Sequence, residues 1–297
     1  KDLENFKVAE RSPVLGTYRG HKIVSMPPSS SGGIHVIQML NILENFDMKS
    51  LGQGSAASAH LLTESMKLAY ADRSKHLGDP DHWDVPRDWL TSKAYAKSLA
   101  KTISIDKTTP SIEIHPGEPA PYESPETTHF SVADNQGNVV VNTYTLNFSY
   151  GSGITVAGAG FLLNNEMDDF SAKANIPNGY GLLGGDANSI QPTKRPLSSM
   201  SPTFVFKGKK PLLLTGSPGG SRIISTVLQV VVNVLDYDLN VAEAVARPRM
   251  HHQWLPDVLV LEPGFDLDTI NTLREKGHNI GPFITMGSAN SIMINGE

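Results

Sequence analysis

The chain has no cysteine among its 297 residues. That excludes disulfides, thiol nucleophiles and Cys-ligated zinc, and it suits an oxidising compartment where stray thiols are a liability. A basic block is also missing. Lys and Arg number 25 against 30 Asp and Glu, a net charge of −5, which offers nucleic acid no footprint. No apolar run reaches membrane-span length, and no signal peptide is visible at Lys1. The ends read as interruptions. Lys1-Asp2-Leu3-Glu4-Asn5-Phe6 resembles the middle or exit of a helix. Residues 288–294 read as a strand, followed by the hairpin pair Asn295-Gly296 with no returning strand. The expectation is a piece of a longer precursor. With 39% hydrophobic and 19% charged residues, the chain is nonetheless globular in composition, which argues against disorder.

Periodicity places the elements. Residues 18–26 read as a strand, then Pro27-Pro28-Ser29-Ser30-Ser31-Gly32-Gly33 as a rigid-then-flexible turn. Apolar residues at 36, 37, 40 and 43 predict a helix over 34–46, and a longer pattern over 56–76 predicts another, stopped by Gly78-Asp79-Pro80. A short helix is expected around 92–103. Residues 106–126 carry prolines at 110, 116, 119, 121 and 125 without periodicity, and read as an extended, mobile segment. Strands follow over 128–133 and 139–146, then 203–206 and 211–214, before apolar helices over 223–235 and 241–247. Helices first and sheets with covering helices later predict α+β layers rather than a parallel βαβ array.

Several segments carry candidate chemistry. Thr127-Thr128-His129 opens a strand after the proline-rich segment. Thr is ordinary in strands, but cleavage before Thr127 would free an α-amino group of pKa roughly 7.7–8.0. That amine can accept the proton of its own threonine hydroxyl, giving base and nucleophile in one residue. Thr215-Gly216-Ser217-Pro218-Gly219-Gly220-Ser221-Arg222 lies between a strand and a helix, where backbone N–H groups can face an anion or developing oxyanion. A plain tight turn would look the same. It is neither a Walker loop nor G-x-G-x-x-G. Ser198 and Ser199 offer paired hydroxyls in a loop. Asn164-Asn165-Glu166-Met167-Asp168-Asp169-Phe170 could bind a metal or a substrate amine, or simply start a solvated helix. His251-His252 is a weak metal signal, because adjacent strand residues point to opposite faces.

Taken together, the stretches 25–33, 69–74 (Ala-Tyr-Ala-Asp-Arg-Ser), 127–129, 162–170, 194–202 and 216–222 resemble the γ-glutamyltranspeptidase family, an N-terminal-nucleophile hydrolase family, in its order and over essentially the whole chain. The resemblance implies a four-layer αββα sandwich cut autocatalytically between Glu126 and Thr127. Residues 1–126 would then belong to the large subunit and 127–297 to the small catalytic one, paired as a heterodimer. It implies that Thr127 is the nucleophile and that Thr145 accepts from, or orients, its amino group. Asn147, Glu166 and Asp169 would hold the substrate α-amino group, Ser198 and Ser199 its α-carboxylate, and Gly219 and Gly220 would supply oxyanion N–H groups. Tyr180 matches a lid residue. An Arg upstream of this chain would pair with the carboxylate. The implied substrates are glutathione and other γ-glutamyl compounds, with water, amino acids or peptides as acceptors. No cofactor or metal is implied, and the implied location is periplasmic or secreted. Two other readings stand beside it: a cephalosporin-type β-lactam acylase of the same superfamily, and an inactive binding or assembly fragment.

Overall fold

The computed structural model describes residues 2–115, 128–171, 173, 176, 178–179 and 182–294. Thr127, Glu126 and Tyr180 therefore lie outside the described residues, as do Asn295 and Gly296. After a single turn, α1 (Asp2–Asn5), the chain forms a hairpin of β1 (Val14–Tyr18) and β2 (His21–Ser25). The sequence predicted one strand over 18–26. The structure instead turns at Arg19 (φ 48°) and Gly20 (φ 78°), the two positive-φ positions of a tight two-residue hairpin loop.

Helix α2 (Gly32–Leu43) begins two residues earlier and ends three earlier than its spacing predicts, and all twelve of its residues are buried. A helix apolar all round belongs inside a core. Its large polar side chains are each bonded through one atom: His35 Nδ1 lies 2.9 Å from Ser31 O, Gln38 donates to Asp72, and Asn41 donates to Thr91 O, while His35 Nε2, Gln38 Oε1 and Asn41 Oδ1 are buried without a partner among the described residues. Two glycines open this helix because nothing larger fits. A Cβ on Gly32 would lie 2.5 Å from Met200 O, and one on Gly33 would lie 2.2 Å from Met26 O.

After α3 (Met48–Leu51), α4 (Ala56–His76) has the predicted bounds, with Ser55 capping its first turn through a bond from Ser58 N. Short helices α5 (Arg87–Leu90) and α6 (Lys93–Ala100) follow. The segment expected to be extended and mobile is packed as far as it is described. Thr109 N donates to Glu64, Ser111 N donates to Asp257, and Trp254 Nε1 donates to Ser111 O and Ile114 O. The buried Lys67 donates to Thr108 and Thr109 O. Prolines without periodicity foretold neither these side-chain anchors nor the 3₁₀ turn at Ser111–Glu113.

β3 (Thr128–Ala133) and β4 (Val139–Tyr144) form a two-stranded ladder. β5 (Thr203–Lys207) and β6 (Lys210–Thr215) join the first hairpin in an antiparallel sheet of order β1-β2-β5-β6-β10, where β10 is Ile292–Met293. The predicted strand over 288–294 narrows to that pair, matched to Leu214 and Leu213. Helix α7 (Arg222–Leu235) follows β6 and α8 (Val241–Ala246) follows it. A three-stranded sheet of β7 (Met250–His251), β8 (Leu259–Leu261) and β9 (Ile280–Phe283), with α9 (Leu267–Glu275), completes the chain. The core lies between α2, α4 and α7 and the inward residues Val14, Ile23, Val205 and Leu213 of the large sheet. β2 pairs with β5, so strands from both sides of residues 126–127 share one sheet.

Candidate active site

Just beyond β4, Thr145 Oγ1 accepts from Asn147 N at 2.8 Å, closing a turn in which Asn147 sits at φ 75°. Asn tolerates this left-handed position better than most side chains. The turn is tied to the acidic segment at three points. Asn147 Nδ2 donates to Asn165 O, Asn165 N donates to Leu146 O, and Phe148 N donates to Asn165 Oδ1. A single 3₁₀ turn, Glu166–Asp169, follows, and Asp169 lines the same pocket as Asn147. Asn188 locks the far end. It donates to Asp169 O at 2.7 Å and accepts from Leu197 N at 2.9 Å, joining the acidic turn to the serine loop.

The serine loop is clamped by the stretch 27–33. Ser198 N donates to Ser29 O, and Ser198 O receives bonds from Ser31 N, Ser31 Oγ and Ser30 Oγ. Ser30 Oγ also donates to Met200 O at 2.7 Å. Ser198 Oγ accepts from Met200 N at 3.1 Å, and Ser199 Oγ accepts from Arg73 at 3.2 Å. Neither serine hydroxyl has an acceptor for its own proton among the described residues. Each oxygen accepts one bond, which leaves its proton uncommitted among the described residues.

The third wall is the start of α7. Gly219 (φ 131°) and Gly220 (φ 55°) hold backbone that other residues rarely adopt. Tyr70 of α4 steadies the helix start by donating to Ser221 O, and Ser288 N donates to Ser217 Oγ. The amides of Gly219 and Gly220 donate to nothing among the described residues, and the helix dipole adds positive potential there.

Thr145, Asn147, Asp169, Ser198, Ser199 and Gly220 line one small pocket. A larger groove, about 500 Å³, lies elsewhere along Arg11, Pro27, Pro28 and Trp89 and holds none of these residues. The pocket is polarised. On one side Asn147 Oδ1 is a buried acceptor without a hydrogen-bond partner among the described residues, and so is Oε1 of Glu166, which stands three residues before the lining Asp169. Unpaired buried acceptors are costly, and a cationic donor would satisfy them. Burial pushes the Glu166 carboxyl up. Burial and the adjacent Glu166 push Asp169 well above the usual carboxylate range, against the pull of Arg73. On the other side stand the two donor hydroxyls with Arg73 behind them.

Only His251 of the histidine pair lies in β7; His252 follows the strand, and the two side chains still diverge. His251 faces Ser221 and Ser225 of α7, while His252 faces Asp257. Sequence reasoning gave no role to Arg73, Asn188 or Ser31, although Arg73 and Ser31 lie in stretches it singled out. A charged residue within a helix of buried small and apolar neighbours was the available signal for Arg73.

The chain was compared with known proteins. The Gamma-glutamyltranspeptidase family profile matches residues 1–297. The glutathione hydrolase proenzyme of Escherichia coli strain K12 is 60% identical over 294 residues, covering 99% of this chain and 51% of that protein. The chain thus spans about half the length of this relative. Among solved structures, the Helicobacter pylori gamma-glutamyltranspeptidase T380A mutant is 59% identical with a TM-score of 0.55, over 56% of this chain and 90% of that one. Cephalosporin acylase from Bacillus halodurans is 26% identical with a TM-score of 0.83, over 99% of this chain and 51% of that one. The α+β architecture is that of the N-terminal-nucleophile hydrolases. On the full-length profile match and the E. coli identity, the chain belongs to the gamma-glutamyltranspeptidase family.

Proposed function

We propose that this chain carries the catalytic part of an enzyme that transfers or hydrolyses γ-glutamyl groups, glutathione being the representative donor. One observation carries the reading: a single pocket is lined by Asn147 with an unpaired buried acceptor, by the Asp169 carboxyl, by the Ser198 and Ser199 hydroxyls and by Gly220 at a helix start, with Glu166 and Gly219 adjoining in sequence. A γ-glutamyl group presents an ammonium and a carboxylate on one carbon and the scissile carbonyl two methylenes away. Asn147, Glu166 and Asp169 match the ammonium. Ser198 and Ser199 match the carboxylate. Gly219 and Gly220 match the oxyanion.

The nucleophile in this reading is Thr127, exposed by cleavage of the Glu126–Thr127 bond; the E. coli relative is itself named a proenzyme. Thr128 pairs with Tyr144, and in this reading Thr145, the residue after Tyr144, orients the freed amino group. That amine takes the proton of Thr127 Oγ as it attacks the γ-carbonyl. The tetrahedral oxyanion is held by the glycine amides, a contribution typically worth 10²–10³ in rate per donor. Collapse expels the amine, protonated by the same group, and leaves a γ-glutamyl ester on Thr127. Water or an acceptor amine then resolves it. Tyr180 is assigned as the lid, residues 1–126 to the large subunit and 127–297 to the small one, the two staying paired as a heterodimer in the periplasm or outside the cell.

The test is turnover by purified mature enzyme of a chromogenic γ-glutamyl anilide beside a cephalosporin with an acyl side chain. A strong preference for the γ-glutamyl compound is expected. Preference for the cephalosporin would move the chain to the acylase branch. No turnover of either would favour a binding or assembly role.

A further inference from the structure

Arg73 is buried, 2% exposed, on α4, and it reaches two serine loops at once. Its Nε donates to Ser31 Oγ at 2.9 Å and its Nη2 to Ser199 Oγ at 3.2 Å. Ser31 Oγ passes the chain on to Ser198 O at 2.8 Å. One guanidinium therefore sets both serines of the carboxylate end, one through its hydroxyl and one through its peptide. A hydroxyl whose lone pair is taken by a cationic donor keeps its proton for another acceptor. The Ser199 proton has no such acceptor among the described residues, although Ser199 is only 8% exposed and lines the pocket. A lysine at this position keeps the charge but not the rigid fork that spans Ser31 and Ser199.

We propose that Arg73 is a positioning residue for recognition of the substrate α-carboxylate: it engages the oxygen of Ser199 so that the hydroxyl proton is presented to that anion. The proposal rests on the γ-glutamyl reading above and adds to it a cation within this chain that acts through a serine rather than by meeting substrate. The same charge opposes the upward push on the Asp169 carboxyl, so Arg73 also helps keep the ammonium end ionised.

The test uses the mature enzyme processed from its full-length precursor, with Arg73→Lys, Arg73→Met, Ser199→Ala and the Arg73→Lys/Ser199→Ala pair. Substrates are γ-glutamyl-p-nitroanilide and 4-aminobutyryl-p-nitroanilide, which lacks only the carboxylate. Arg73→Lys is expected to raise KM for the first by roughly tenfold, the scale of a lost hydrogen bond to a charged group. Its kcat should hold within about threefold, as for an interaction present in ground and transition states alike. The second substrate should change by less than about twofold. In the Ser199→Ala background the same substitution should cost less, because the hydroxyl it engages is gone and only its hold on Ser31 remains. Equal losses on both substrates, or additive losses in the double variant, would overturn the proposal and make Arg73 a packing residue. Should Arg73→Met fail to accumulate, the lysine cycle still decides. Wild-type enzyme without γ-glutamyl turnover would sink the functional reading and this proposal together, whereas turnover with an additive cycle sinks this proposal alone.

Discussion

At the scale of single residues, the pocket depends on charges held where water would otherwise satisfy them. Glu166 and Asp169 both hold their protons more tightly in the fold than in the unfolded chain, chiefly through burial. Ammonium binding needs them ionised. The acid limb of kcat/KM should therefore lie above the ordinary carboxylate range, and a limb at or below that range would show that these groups do not bind the ammonium. Asp169→Ala removes one partner of a desolvated pair, a loss on the order of 3–5 kcal/mol. It should cripple γ-glutamyl turnover while circular dichroism and the Glu126–Thr127 cut stay near normal. Near-normal kcat/KM would refute the assignment. Arg73 shows what sequence could not supply at this scale. Its motif was visible, but its role depends on Ser31 and Ser199, which are brought to it from 42 and 126 residues away.

Among elements, legibility followed locality. Helix α4 was read with its bounds intact because its cap, its length and its Gly-Asp-Pro stop are all encoded nearby. The β3–β4 ladder was likewise visible from two β-rich runs around a glycine-containing turn. The β1–β2 turn was missed because Arg-Gly is a weaker hairpin signal than Asn-Gly, and the packing of residues 106–115 because its anchors come from α4 and from residues 254, 257 and 276. Most of the pocket residues were named from family resemblance. Asn188, which bridges the acidic turn to the serine loop, was not, since nothing local marks it. The start of α2 offers a test of close approach. Gly32→Ala would push a methyl against Met200 O, which is backbone and cannot swing aside. An overpacked site of this kind typically costs about 1–3 kcal/mol. The melting temperature should fall, and KM for γ-glutamyl substrates should rise with displacement of the serine loop. Unchanged KM alongside a lowered melting temperature would show that the loop tolerates the shift.

On the scale of the whole molecule, the buried histidines set the pH dependence of stability. Burial lowers His35 to about 4 and His251 to about 3, and it also lowers His60, His252 and His278. The unfolded chain titrates these near 6.5. Below that value the unfolded state takes up protons that the fold refuses, so their contribution is intact above about pH 6.5 and is lost as pH falls toward the folded values. Each histidine well below its unfolded pKa and above its folded one costs about 1.4 kcal/mol per pH unit. Asp72, raised to about 6 by burial, acts with the opposite sign, gaining stability as pH falls from there toward 4. Glu166 and Asp169, also raised by burial, act in the same direction as Asp72; the histidines outnumber these three carboxyls, so the melting temperature should drop between pH 7 and pH 5. His251→Gln should flatten that slope, and an unchanged slope would contradict the account. Because β2 pairs with β5 across the expected junction, the two pieces left by cleavage should separate only under denaturing conditions.

The most direct measurement is peptide mass analysis of the mature enzyme after it has been quenched during turnover of a γ-glutamyl substrate. The account predicts a new N-terminus at Thr127 and a γ-glutamyl adduct on that peptide, both absent from Thr127→Ala. An active enzyme with the Glu126–Thr127 bond intact, or an adduct on any other residue, would contradict it.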